Sequence, residues 1–179
     1  MKKNMIHMIV LAMVCLFAAC QDSSKLVISD LQCEYLNAPL AIDNTTPHFG
    51  WKMTCGQNGM SSSAYQLLVA TELDKLNEEE ADLWNSGKVS SDTSLGIVYG
   101  GKALTSRTQA YWKVRVWNQA DVPSEWSKPS SFGIGMLSEN DWSAEARFIG
   151  VEQADEKSQS APLLRKSFTY EPSKGKALL

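Results

Sequence analysis

Histidine is nearly absent and cysteine scarce: two and four, respectively, in 179 residues. Little is left from which to build a metal centre. His48 with Cys33 and Cys55 offers three ligands at wide spacing and no fourth, which argues against zinc. Clusters of positive charge are also missing. The 17 basic and 20 acidic residues give a formal net charge of −3, and a chain without a basic face has no means of neutralising phosphates, so no nucleic-acid partner is expected. There is no repeat, collagen-like stretch or low-complexity tract, and no cofactor-binding signature. Beyond the first twenty residues no apolar run is long enough to span a bilayer.

What is present begins with an address. Lys2 and Lys3 precede an apolar stretch, Met5–Ala19, interrupted only by His7. A positive start followed by a short apolar run reads as a secretory signal over residues 1–19. It ends on Ala18-Ala19-Cys20, which resembles the lipobox of bacterial lipoproteins, with Phe17 where Leu is usual and Leu16 one place early. The resemblance implies cleavage before Cys20 and diacylation of its thiol; plain Ala-x-Ala-type cleavage is the alternative. Gln21-Asp22 resembles the acidic tether of surface-exposed lipoproteins, and residues 20–25 are read as that tether. Several acyl chains on one residue supply stable membrane anchoring. The expected location is the outer membrane or cell surface, with the periplasm as fallback. Loss of Lys2 and Lys3 with the signal lowers the net charge by two.

Residues 20–179 suffice for one domain and a remainder. The clearest signal is Ala110–Phe132. Trp112, Val114 and Val116 alternate with Tyr111, Lys113, Arg115 and Trp117, the period of a half-buried antiparallel strand. A polar turn follows, and a second strand is expected to open at Glu125-Trp126-Ser127. Upstream, strands are expected at Leu26–Leu36 (Leu31, Cys33 and Tyr35 inward), His48–Met53 (Phe49, Trp51 and Met53 inward, Gly50 and Lys52 outward) and Ala64–Ala70. Short strands follow at Trp84–Val89 and Ser94–Tyr99. Thr71–Leu83 breaks the pattern: Thr71 and Asp74 imitate a capping box, and Leu73, Leu76 and Leu83 approach helical spacing, which predicts a short surface helix. Seven turn-separated strands predict an all-β fold, an immunoglobulin/fibronectin type III-like sandwich over residues 26–136. A linker over 137–147 and the incomplete start of a second β-domain over 148–179 complete the chain. In such a ladder Cys33 pairs nearer Trp51 than Cys55, beyond the usual bridging distance of about 7 Å, so two thiols are expected rather than a disulfide.

The residues also carry a family resemblance. Cys33-Glu34-Tyr35-Leu36, Pro39-Leu40-Ala41-Ile42-Asp43, Pro47-His48-Phe49-Gly50-Trp51 and Ala64-Tyr65-Gln66 resemble the N-terminal domain of bacterial α-L-rhamnosidases of glycoside hydrolase family 78. So do Leu83–Val89, the Tyr111–Trp117 strand and Asp141-Trp142-Ser143-Ala144, in one order with compatible spacing. The resemblance implies an immunoglobulin-like domain preceding jelly-roll β-domains and an (α/α)6 barrel that carries the catalytic acids. It also implies inverting hydrolysis of terminal α-L-rhamnose, with acid and base about 6.5–9.5 Å apart. Residues 161–168 resemble the first strand of the family's next β-domain, and 174–179 the beginning of its second. The barrel has no counterpart here, so no catalytic residue carries over. The chain is expected to be a truncated, non-catalytic accessory module of such an enzyme, with a rhamnose-containing glycan as the enzyme's partner. The alternative is a stand-alone surface lipoprotein whose fibronectin-like domain binds glycan or protein.

Two constellations compete with that reading. Glu139, Asp141 and Glu145 could do acid–base work, but Ser138 and Asp141 read better as the caps of a linker turn. Outward Tyr111 and Trp117 could stack sugar rings. Against this, Lys113 and Arg115 can stack on Trp117 and Trp126 in a cation–π zipper that needs no ligand, and the zipper is favoured. Trp51 and Trp112 are expected as core anchors.

Overall fold

The computed structural model describes residues 25–147, 163–167 and 169. The expected signal and the candidate lipidation residue Cys20 lie outside them, as does most of the expected second β-domain. Among the described residues eight strands form two antiparallel sheets: β1 (Val27–Cys33), β2 (His48–Thr54), β3 (Ser62–Ala70), β4 (Trp84–Asn85), β5 (Val89–Ser90), β6 (Ile97–Val98), β7 (Gln109–Asn118) and β8 (Ser130–Gly133). One sheet runs β1-β2-β6 and the other β4-β3-β7-β8, with β5 also on β3. The inward residues of both interdigitate in one core, as expected for a sandwich.

The alternation in β7 reads as anticipated: Trp112, Val114 and Val116 are fully buried, and Lys113 and Arg115 are only partly covered. Phe49 from the opposite sheet stands 4.6 Å from Trp112, centroid to centroid, and 5.6 Å from Phe132. Trp84 and Tyr99 close the cluster around the same ring. Trp51 packs edge-on to Tyr65 at 5.6 Å. The indole nitrogens of Trp51 and Trp112 are buried with no acceptor among the described residues. Each therefore sets a desolvation cost against a large gain in apolar burial.

Several expectations are corrected. No α-helix occurs among the described residues, and 71–83 is a run of turns. Thr71 spends its amide and hydroxyl on the Asp82 carboxylate, at 2.8 and 2.6 Å, rather than capping a helix with Asp74. The spacing misled because only Leu76 is buried; it seals a second, smaller core with Leu68 and Ala70 on the outer face of β3. Trp84–Val89 splits into β4 and β5 around Gly87, whose φ of +61° turns the chain. Gly50 faces away from the core as expected but is buried rather than open, because Leu95 lies over it with Cδ1 2.8 Å from where a Cβ would stand. Tyr35 is exposed because the strand has already turned.

That turn is unusual. Cys33 and Leu36 exchange two backbone hydrogen bonds of 3.0 Å around Glu34 and Tyr35, both left-handed at φ +51° and +61°. A two-residue hairpin turn of this hand normally carries glycine or asparagine. Cys33 pairs with Phe49, six positions from Cys55, and no disulfide joins them. Burial, reinforced by the neighbouring Glu34 charge, pushes the Cys33 thiol up to about 12.

β1 starts beside Thr54, at the end where the β2–β3 loop turns, whereas β8 finishes beside Gln109 at the opposite end. The domain thus takes in the chain at one end and releases it at the other, termed here the exit end. Trp112→Ala should cost about 3–5 kcal/mol in urea melts through cavity formation. Trp112→Phe should cost far less, because it leaves a smaller void and removes an orphan donor worth roughly 1–3 kcal/mol.

Candidate functional site

The outer face of β7 carries the densest array of charged and aromatic side chains. Its order follows from register: Trp117, Arg115 and Lys113 lie opposite Ala64, Gln66 and Leu68 of β3. Trp126 is delivered from the other side by Pro123–Pro129. This stretch is not the strand expected at Glu125; β8 begins only at Ser130. Instead the Ser124 and Ser127 amides donate to the Val116 and Val114 carbonyls (2.7 and 2.8 Å). Their hydroxyls accept from the Val116 and Val114 amides, each at 3.1 Å. A three-residue step thereby satisfies a two-residue step, and Trp126 is lifted over β7.

The result is an alternating ladder. Lys88 Nζ and the Arg115 guanidinium flank the Trp117 ring, each 4.9 Å from its centroid. Arg115 and Lys113 face Trp126 at 4.6 and 4.9 Å. Arg115 is held flat by Gln66 Oε1, which accepts from Nε (3.1 Å) and Nη2 (2.8 Å), and by Glu78 at 2.5 Å. Gln66 is itself fixed by Asn85 at 2.8 Å. Burial, helped by the Arg115 charge and opposed by Glu78, lowers the Lys113 pKa. Asp121 pairs with Lys88 at the ladder's end.

These contacts occupy the faces a sugar would need. Trp117 is only 8% exposed. Tyr111 lies six residues away along the strand, about 20 Å at ~3.3 Å per residue, and packs on the Leu68–Leu76 core. Tyr111 and Trp117 therefore form no shared stacking platform.

At the exit end, the Glu34 carboxylate clamps the β1–β2 connection. Its Oε1 accepts from Asn44 Nδ2 (2.9 Å) and the His48 amide (2.8 Å), and lies 3.0 Å from His48 Nδ1. Burial raises the Glu34 pKa, but the His48 and Asn44 hydrogen bonds outweigh it and hold it below the usual carboxylate value. No sequence signal links residues fourteen apart across an irregular loop. A cleft of about 500 Å³ opens beside the clamp, lined by Glu34, Leu36, Ala41, Ile42, Asp43 and Gly135.

The linker carboxylates have different surroundings. Glu139–Asp141 is a single 3-10 turn with Ser138 as its N-cap. Asp141 Oδ2 accepts from the Ser106 hydroxyl (2.6 Å) and the Leu137 and Ser138 amides (2.9 and 2.8 Å), while Arg107 donates to the Asp141 carbonyl. The Ser106 and amide hydrogen bonds lower the Asp141 pKa. Asp141 thus fastens the linker to the sandwich, while Glu139 and Glu145 remain on an exposed segment.

Two antiparallel sheets packed face to face over a shared core define a sandwich of immunoglobulin type. The profile of the Rha78A-like N-terminal immunoglobulin domain matches residues 28–138, and the chain belongs to that family. An alpha-L-rhamnosidase of Formosa agariphila is 42% identical over 151 residues, which cover 82% of this chain and 16% of that protein. One from Streptomyces avermitilis is 39% identical over 121 residues, 68% of this chain and 12% of the relative. A crystal structure of Streptomyces avermitilis alpha-L-rhamnosidase complexed with L-rhamnose superposes with a TM-score of 0.63 at 39% identity, over 66% of this chain and 11% of that one. The alpha-L-rhamnosidase of Dictyoglumus thermophilum gives 0.62 at 34% identity, covering 67% and 14%. The chain therefore spans about a sixth or less of the length of these relatives.

Two outcomes follow. Arg115→Lys should lower stability by about 1–3 kcal/mol in urea melts, because a lysine cannot stack on two indoles while binding Gln66. Glu34, with its pKa depressed in the fold, contributes stability above its unfolded value near 4.3 that is lost as pH falls through the lower folded value. Glu34→Gln should therefore flatten the loss of stability between about pH 5 and pH 3, measured by urea melts across that window.

Proposed function

We propose that this chain is a non-catalytic N-terminal accessory module of a secreted alpha-L-rhamnosidase, an inverting glycoside hydrolase that releases terminal α-L-rhamnose. The observation that carries the reading is the state of Asp141. Its Oδ2 is committed to three donors within the chain, and it fastens a linker rather than facing a cleft. Retained identity to full-length alpha-L-rhamnosidases supports the assignment to that enzyme class. In this role the domain spaces and orients what lies beyond the linker, and the rest of the enzyme meets the glycan. Cys20 anchors the module to the bacterial membrane through its acyl chains, at the outer membrane or cell surface. The Ala18-Ala19-Cys20-Gln21-Asp22 pattern, which supports this anchor, also suits the second reading: a stand-alone surface lipoprotein whose domain binds a glycan or protein.

The full chain should leave p-nitrophenyl α-L-rhamnoside unhydrolysed. Turnover abolished by Asp141→Asn or Glu145→Gln would overturn the accessory role and make the linker carboxylates an active site. Cys20→Ala should release the protein from membranes or block signal processing, read by fractionation and intact mass; equal membrane retention with normal processing refutes the anchor.

A further inference from the structure

The sequence holds one Asn-Gly step, Asn58-Gly59, and the fold leaves it uncovered. It lies in the β2–β3 loop, residues 55–61, at the end where the chain enters the domain. Asn58 and Gly59 form a turn with Gly59 left-handed at φ +78°, and both residues are exposed together with Gln57. A Cβ on Gly59 would meet nothing within 4 Å, so no neighbour crowds that residue. Neither the Asn58 carboxamide nor the Gly59 amide has a hydrogen-bond partner among the described residues. Asparagines elsewhere in the sandwich are committed. Asn44 is bound to Glu34, Asn77 to Glu80 and Asn85 to Gln66, and Asn118 accepts from the Ala120 and Val122 amides. None of these four precedes a glycine.

Together these properties favour one reaction of a thermolabile residue. Glycine has no side chain to obstruct its own nitrogen, and its backbone is conformationally permissive. The unpartnered carboxamide beside it offers an electrophilic carbon within reach of a small ring closure. We propose that Asn58-Gly59 is a site of spontaneous deamidation and isomerisation, held in check by Gln119. The Gly59 nitrogen gives its proton to hydroxide and bonds to Asn58 Cγ. The Cγ–Nδ2 bond then breaks, and Nδ2 takes up a proton and leaves as ammonia. Water opens the resulting cyclic imide. Attack at Cγ yields aspartate, whereas attack at the backbone carbonyl yields isoaspartate, with the main chain rerouted through Cβ and Cγ. Ring closure requires the peptide between the two residues to rotate. Gln119, just beyond β7, resists this: its Nε2 donates to the Gly59 carbonyl (3.3 Å) and to the Ser61 hydroxyl (2.7 Å). The isoaspartate form has a longer main chain and a new negative charge, so it loosens the loop from Gln119 while the aromatic core stays intact. The reaction needs only this loop and water, and it stands apart from the enzymatic reading.

Ageing the full chain in warm, mildly alkaline buffer, followed by peptide mapping, tests it. Asn58 should convert at least about tenfold faster than any other asparagine of the chain. The product should contain isoaspartate, detected by methyl transfer from S-adenosylmethionine with a protein isoaspartyl methyltransferase. The rate should rise with pH, because hydroxide takes the Gly59 proton. Asn58→Gln should abolish the change without moving the urea melt of fresh protein, since the position is exposed. Gln119→Ala should speed the reaction severalfold. An intact Asn58 after other asparagines have converted, or aspartate without isoaspartate, would overturn the proposal. An unchanged rate in Gln119→Ala would overturn the restraint.

Discussion

The contact between Phe49 and Trp112 holds this domain in register. Two aromatic rings from opposite sheets meet at 4.6 Å in the centre of the core, and Trp84, Tyr99 and Phe132 gather around them. Because strand side chains alternate with a period of two, a slip of one residue in β7 would turn Trp112, Val114 and Val116 to solvent and drive Lys113, Arg115 and Trp117 inward. Burying two cations without partners is prohibitive. The core contact therefore determines not only where the hydrophobic residues lie but which charged residues line the outer face, and in what order.

That outer face is finished rather than open. Arg115 sits between two indoles and is bound by Gln66 and Glu78, and Trp126 is carried there by a segment that pairs with β7 through serine hydroxyls. Such a ladder protects a strand face that would otherwise expose two tryptophans, and it does so without a ligand.

What could be read in advance followed from periodicity. The alternation over Tyr111–Trp117 and the inward Phe49 and Trp51 identified the core, the two-sheet fold and the cation–aromatic neighbours of Trp117. Where periodicity fails, the reading failed. The leucines of 71–83 sit near helical spacing, yet two side-chain bonds from Thr71 to Asp82 stabilise turns instead. The cover over Gly50 went unread because the strap through Leu95 that lies on it is distant in sequence. The Glu34 clamp and the bonds from Asp141 to Ser106 and Arg107 were hidden for the same reason, although the Ser138–Asp141 cap was legible: each joins irregular segments, where neither a two-residue nor a 3.6-residue repeat exists to betray the partner.

The opposite placement of the domain's two ends has a mechanical consequence. Tension between them pulls β1 along its own axis, parallel to its partner β2, rather than prising it sideways. In that geometry the ladder hydrogen bonds between β1 and β2 bear load together and must break nearly at once, whereas a peeled strand surrenders them one by one. The bulge between Ser29 and Gln32 interrupts this ladder, so the weakest point under shear lies there, not at the aromatic centre.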